Sequence, residues 1–174
     1  MAYYKRRLPH WQPEGAAIFL TWRLRGSLPK ELFESLPTTT PGKAFVLADR
    51  ELDQAGVGPR WLQDDPRVAQ AVVETLRFGQ DELKLYALAA WVIMANHVHI
   101  LISPEAPVAR IMKSIKNYSA LRANEILGRR GEAFWQRESY DHWVRGALRG
   151  ISNGIRCLLA WWRVRKAGLG RAAA

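Results

Sequence analysis

Cysteine is nearly missing from this 174-residue chain, and the single one, Cys157, leaves no internal disulfide and no cysteine-based zinc cluster to consider. It lies in an apolar helical stretch, where a small core residue is the better reading than a nucleophile. Such sparing cysteine use fits a reducing cytoplasm, the expected location. Long hydrophobic runs are missing as well. The first, AAIFL at 16–20, is too short for a secretory core and meets Arg23 and Arg25 almost at once. No window approaches the ~20 apolar residues of a membrane span, so no membrane partner is expected.

Acidic side chains are scarce in one region only. The chain carries 26 Lys plus Arg against 16 Asp plus Glu, a formal +10. Counted from the sequence, residues 1–109 hold 12 basic and 12 acidic side chains, and residues 110–174 hold 14 basic and 4 acidic, so the whole surplus sits in the last third. A solvated basic face usually has acids interspersed, whereas localised positive charge is the footprint of a polyanion binder, which gains free energy by releasing condensed counterions.

With 48% hydrophobic residues, a chain of this length buries one core, and the expectation is a single domain over 1–174. A strand is expected at 16–24, then an irregular excursion over about 25–62 around a short helix near 43–54, with PTTTPG at 37–42 and GVGP at 56–59 as turns. Pro66 opens a helix behind Asp65 that Gly79 is expected to stop near Phe78. A hairpin over 83–94 and 97–103 follows, then a helix from about 108 to 127 ended by Gly128. Strand, helix, hairpin, helix is most of a ferredoxin-like βαββαβ unit of the α+β class, an antiparallel sheet with both helices on one face.

The most informative stretch is WVIMANHVHILIS at 91–103. Side chains alternate along a strand, so His97, His99 and Leu101 share one face, while Val98, Ile100 and Ile102 share the other. If the aliphatic face meets the helices, both imidazoles look out of an open face that a nucleic acid strand can enter. Two neutral imidazoles so placed can hold one divalent ion, provided a third ligand exists. His-x-His alone is also an ordinary feature of half-exposed strands, and context decides.

Context comes from the basic third. In the helix over 108–127, Arg110, Lys113, Asn117 and Asn124 fall opposite the stripe of Ile111, Ile115, Ser119, Arg122 and Ile126, a side able to grip phosphates or simply to be solvated. Tyr118 at the stripe's edge reads as a core tyrosine. Arg129, Arg130 and Arg137 are then interleaved with Phe134, Trp135, Tyr140 and Trp143, the mixture by which single-strand binders stack bases and track phosphates, although rings also serve packing. Together with Arg6, Arg7 and Lys116, the residues Lys113, Arg129, Arg130 and Arg137 are the expected DNA contacts.

At this point the chain resembles a known family. YYKRRLPHW at 3–11, FLTWRLRGSLP at 19–29, WVIMANHVHILISP at 91–104, IMKSIKNYSALRANEILGRRG at 111–131 and FWQRESYDHWVR at 134–145 look like the REP-associated tyrosine transposases, relatives of the IS200-like transposases that cut single strands. The resemblance implies a ferredoxin-like nuclease in which His97 and His99 hold Mg²⁺ or Mn²⁺ against the scissile phosphate of single-stranded or hairpin DNA. It also implies a tyrosine on a C-terminal helix that attacks phosphorus, leaving a 5′-phosphotyrosine and a free 3′-OH. Such a protein works as a monomer or homodimer.

The resemblance breaks at the C-terminus. The family's helix reads approximately YIxxNPVKAGL, and only KAGL at 166–169 remains, which puts Leu159 at the nucleophile's position and Arg163 where a third metal ligand should stand. The segment still forms an amphipathic helix over about 146–165, with Leu148, Ile151, Ile155, Leu158 and Trp162 beside a stripe of Arg145, Arg149, Arg156 and Arg163. Its altered wording and AAA ending also fit a frameshifted gene. Two readings follow: a metal-dependent DNA transposase whose catalytic residues are His97, His99 and, as a relocated nucleophile, Tyr140, or a DNA-binding remnant without cleavage chemistry. An unrelated RNA-binding module would need stacking aromatics on its strands, and only Tyr86 and Trp91 offer themselves.

Overall fold

In a computed structural model of the chain, residues 2–5, 9–12, 16–29 and 41–143 are described, with side chains described over 16–29 and 47–141. The expected helix over 146–165, with Cys157, Leu159 and Arg163, lies outside the described residues, as do the side chains of Arg6 and Arg7. The strands are β1 (Ala2–Lys5), β2 (Pro9–Gln12), β3 (Ile18–Arg23), β4 (Tyr86–Ile93), β5 (His97–Pro104) and β6 (Tyr140–Trp143). The helices are α1 (Pro41–Gln54), the single turn α2 (Trp61–Asp64), α3 (Pro66–Asp81) and α4 (Val108–Ile126).

Strands β1 and β2 form a separate two-stranded antiparallel sheet. The main sheet runs β4-β5-β3-β6, antiparallel throughout, so the sequence β3-α3-β4-β5-α4-β6 is the expected ferredoxin-like unit with its fourth strand in place. The alternation behaves as expected. Ile18, Leu20, Trp22 and Leu24 of the β3 stretch join Val98, Ile100 and Ile102 of β5 in one core with Val68, Val72 and Leu76 of α3 and Ile111 and Ile115 of α4. A one-residue register shift in β4 between Leu88 and Ala90 keeps Leu88 opposite Ile102 and then sets Val92 opposite His99.

Several expectations need correction. The sheet's other face is not open: Phe19, Thr21, His97, His99 and Leu101 on that side are all buried, and α1 lies over the histidines. Phe134 and Trp135 are core residues rather than a stacking platform; Trp135 packs edge-on against Trp22 and donates its indole N–H to Ser119 Oγ at 2.8 Å. Tyr118 is half exposed and meets Phe78 on the outer helix surface instead of entering the core.

Helix α3 starts as expected, Asp65 Oδ1 accepting from the backbone N–H of Arg67 at 3.0 Å behind Pro66. Its end differs. Gly79 lies inside the helix because the Tyr86 ring, buried to 2% exposure, crosses there and donates its hydroxyl to the Leu76 carbonyl at 2.9 Å. A Cβ on Gly79 would collide with the Tyr86 hydroxyl and ring. Gly79→Ala is therefore expected to lower stability by about 1–3 kcal/mol through overpacking, against the usual gain of Gly→Ala inside a helix. Removing the hydroxyl in Gly79→Ala with Tyr86→Phe should recover part of that loss in thermal melts. A Gly79→Ala chain as stable as the parent would contradict this packing.

Candidate metal centre

Strand register brings the site together. Thr21 of β3 pairs with His99 of β5 on one side and with Tyr140 of β6 on the other, and Arg23 pairs with His97. Directly paired residues project from the same face, so Val92, His99, Thr21 and Tyr140 form one row across the sheet, with Arg23 and His97 in the next same-face row. Each imidazole is gripped at Nδ1: His97 by Asn96 Oδ1 at 2.8 Å, and His99 by Thr21 Oγ1 at 2.7 Å. Phe19 stacks on the His99 ring at 5.4 Å, and the two imidazoles meet edge-on at 4.7 Å. With both Nδ1 atoms engaged, the two Nε2 atoms are left to point into the same space.

That space belongs to a residue the sequence reading missed. Asp49, in the middle of α1, places Oδ1 3.6 Å from His97 Nε2 and 3.4 Å from His99 Nε2. Asp53, one turn further on, places Oδ1 3.7 Å from His97 Nε2. The only sequence signal for this was a pair of aspartates four apart in the short helix of the excursion, which puts both on one helix face. Among the described residues the third candidate ligand comes from that insertion helix, while Arg163, where the family pattern places it, lies outside the described residues.

The centre is enclosed. His97, His99 and Asp49 are exposed by 0%, 3% and 1%. Burial pushes the His97 imidazole down to about 3, and burial first, then the neighbouring His97, holds His99 well below its ordinary range, so both rings are neutral and able to ligate. His97 Nε2 is buried and makes no hydrogen bond.

These residues fit a divalent ion. One atom each from Asp49, His97 and His99 lie within 4.8 Å of one another. Bonds of about 2.1 Å to a shared ion would set its ligand atoms roughly 3–3.5 Å apart, close to the Asp49–histidine distances. A divalent cation there would also balance the charge of the buried Asp49 carboxylate.

The other expected site residues are distributed differently. Tyr140, on β6, shares the histidines' face; burial, and then Asp141, push its phenol above the ordinary range. Arg23 is part-buried on the same face, which lowers it to about 10, and its guanidinium donates to the Leu24 carbonyl at 3.4 Å. Lys113, Lys116 and Arg137 line a groove between α4 and the 132–139 segment, on the helical side of the sheet. Lys116 spends its ammonium there on the carbonyls of Gln136, Arg137 and Glu138 at 2.9, 3.1 and 3.2 Å, fastening the segment that leads into β6. Arg129 pairs with Glu132 and covers the Trp61 ring at 4.5 Å, and Arg130 pairs with Glu125 at 3.0 Å.

Comparison with known proteins gives a family match over part of the chain. The family described as Transposase IS200 like matches residues 61–146, the segment that carries α3, the β4–β5 hairpin with both histidines, α4 and β6. No curated protein matches the chain. Among solved structures, the chain is similar to a REP-associated tyrosine transposase bound to a REP hairpin, at 15% identity over 84% of this chain and 64% of that one, with a TM-score of 0.46. It is also similar to a protein from Deinococcus radiodurans R1 described as a candidate transposase, at 13% identity over 83% of this chain and 88% of that one, with a TM-score of 0.36. Among the described residues, no helix is long and apolar enough to cross a membrane.

The depressed histidines have a measurable consequence in the metal-free protein. The unfolded chain protonates its imidazoles near pH 6.5 while the folded chain does not, so the stability they contribute is complete above that pH and is lost as pH falls from about 6.5 toward about 3. The slope reaches about 1.4 kcal/mol per pH unit for each imidazole. In the presence of a chelator, the His97 and His99 ring resonances should remain those of neutral imidazole at pH 5. Resonances that titrate near pH 6.5 would contradict the burial.

Proposed function

We propose that this chain binds single-stranded or hairpin DNA and acts on its backbone at the His97–His99–Asp49 centre, as a metal-dependent strand-cleaving and rejoining transposase of the REP-associated kind. The observation that carries the reading is the convergence on an Asp49 carboxylate oxygen of two neutral imidazole Nε2 atoms, both from the segment of IS200-like sequence. Mg²⁺ or Mn²⁺ suits the mixed oxygen and nitrogen donors, and when bound supplies Lewis-acid polarisation of a phosphodiester. Thr21 and Asn96 fix the ring orientations, so the ligands are held before any DNA arrives.

Tyr140 is our candidate nucleophile. It sits two strands from His99 in the same cross-sheet row, about 10 Å away by Cα, a gap that a phenol and a phosphate between them can fill. Attack would form the bond from Tyr140 Oη to phosphorus and break the bond to O3′, the phenol losing its proton as the 3′-hydroxyl gains one. Two observations favour the competing reading, DNA binding without cleavage: Leu159 occupies the family's nucleophile position, and burial together with Asp141 disfavours the Tyr140 phenolate.

One incubation separates them. Labelled hairpin DNA with Mn²⁺ should give a denaturant-resistant protein–DNA adduct that Tyr140→Phe and His97→Ala both abolish. Binding with no adduct under any metal condition would leave only the DNA-binding reading. Affinity should also fall steeply with salt, and Lys113→Ala or Arg137→Ala should each reduce the slope by about one. Salt-independent binding would remove the polyanion reading altogether.

A further inference from the structure

The geometry points to Asp53 as a fourth ligand at the mouth of the metal centre, the one a DNA phosphate displaces, so that the ion latches α1 over the DNA-facing side of the sheet. This rests on the proposed DNA reading for the displacement, but not for the ligation. Asp49 and Asp53 lie on one face of α1, and their Oδ1 atoms stand at 3.6 and 3.7 Å from the same His97 Nε2. That nitrogen is wholly buried, makes no hydrogen bond and is aimed between them.

The two carboxylates differ in one respect. Asp49 is 1% exposed by side chain, and Asp53 is 28% exposed. Since His97, His99 and Asp49 seal the inner part of the site, a group arriving from solvent reaches the ion along the Asp53 side. Exchange there conserves charge. One carboxylate oxygen leaves and one phosphodiester oxygen takes its place, so a divalent ion with Asp49 carries the same net charge before and after.

The anchoring of α1 makes the ion matter to the helix. Among its described side chains, Leu52 is the buried hydrophobic, while Leu47 is 48% exposed. Leu52 stands apart from the main core on the far side of the sheet. Coordination through Asp49 and Asp53 would tie α1 to the sheet, and losing the outer of the two ties would loosen the cover where DNA must enter.

The test uses the full chain without DNA first. Calorimetric titration with Mn²⁺ should show binding about tenfold or more weaker in Asp53→Asn, retained within a few-fold in Asp53→Glu, and abolished in His97→Ala. Hydrogen exchange over residues 41–54 should slow on Mn²⁺ addition in the parent, and less so in Asp53→Asn. Addition of a single-stranded oligonucleotide to the Mn²⁺-loaded parent should then speed exchange over 41–54 again. Parent-like Mn²⁺ affinity in Asp53→Asn, alongside loss in His97→Ala, overturns the fourth ligand while leaving the metal centre intact. An oligonucleotide that binds without changing exchange in α1 overturns the displacement. If His97→Ala keeps parent affinity, the metal-centre reading itself fails, and if the oligonucleotide does not bind, the DNA reading fails while the Mn²⁺ arms still decide the role of Asp53.

Discussion

The two-residue alternation of β5 is the constraint on which everything else depends. Val98, Ile100 and Ile102 are committed to the core with α3 and α4, and this fixes His97, His99 and Leu101 on the opposite face. A slip of one residue would bury the imidazoles among aliphatic side chains and expose the core strip, so hydrophobic burial sets the position of the ligands without any energy spent on the site. The neighbouring strands then complete the geometry by register alone. Thr21 meets His99 from β3 at 2.7 Å, and β6 brings Tyr140 to the far side of Thr21.

The same enclosure sets a carboxylate beside the histidines. Asp49 at 1% exposure next to two imidazoles at 0% and 3% lies in a low-dielectric space where charges interact strongly. The fold reaches this arrangement only by laying α1 over the sheet, and the residue at the contact is an aspartate rather than another leucine. An ion held by Asp49 and the histidines would couple its binding to the seating of α1, as in other sites whose ligands come from separate elements. The basic groove at Lys113 and Arg137 lies on the helical side, beside the segment that becomes β6, so a DNA strand touching both surfaces would pass around the β6 edge.

Much of this was legible in the sequence where period and burial agreed. The β3, β4 and β5 strands, the α3 start at Asp65-Pro66 and the split of β5 into two faces all follow from alternation and capping, and the ferredoxin-like order follows from them. The sequence misled where one residue type serves two purposes. Gly79 reads as a helix stop but makes room for Tyr86, and Phe134 and Trp135 read as base-stacking rings but are core. Asp49 was invisible for a different reason. It lies in a polar excursion with no strong period, and its partners are about fifty residues away, so only the folded chain shows that this aspartate faces the histidine pair.

The proposed divalent centre is built from the sheet and the insertion helix. Anomalous diffraction from crystals of the full chain grown with Mn²⁺ would locate the ion. One strong peak is expected about 2.2 Å from His97 Nε2, His99 Nε2 and an Asp49 carboxylate oxygen. A manganese-free site at saturating Mn²⁺, or a peak held by the histidines with Asp49 turned away, would contradict it.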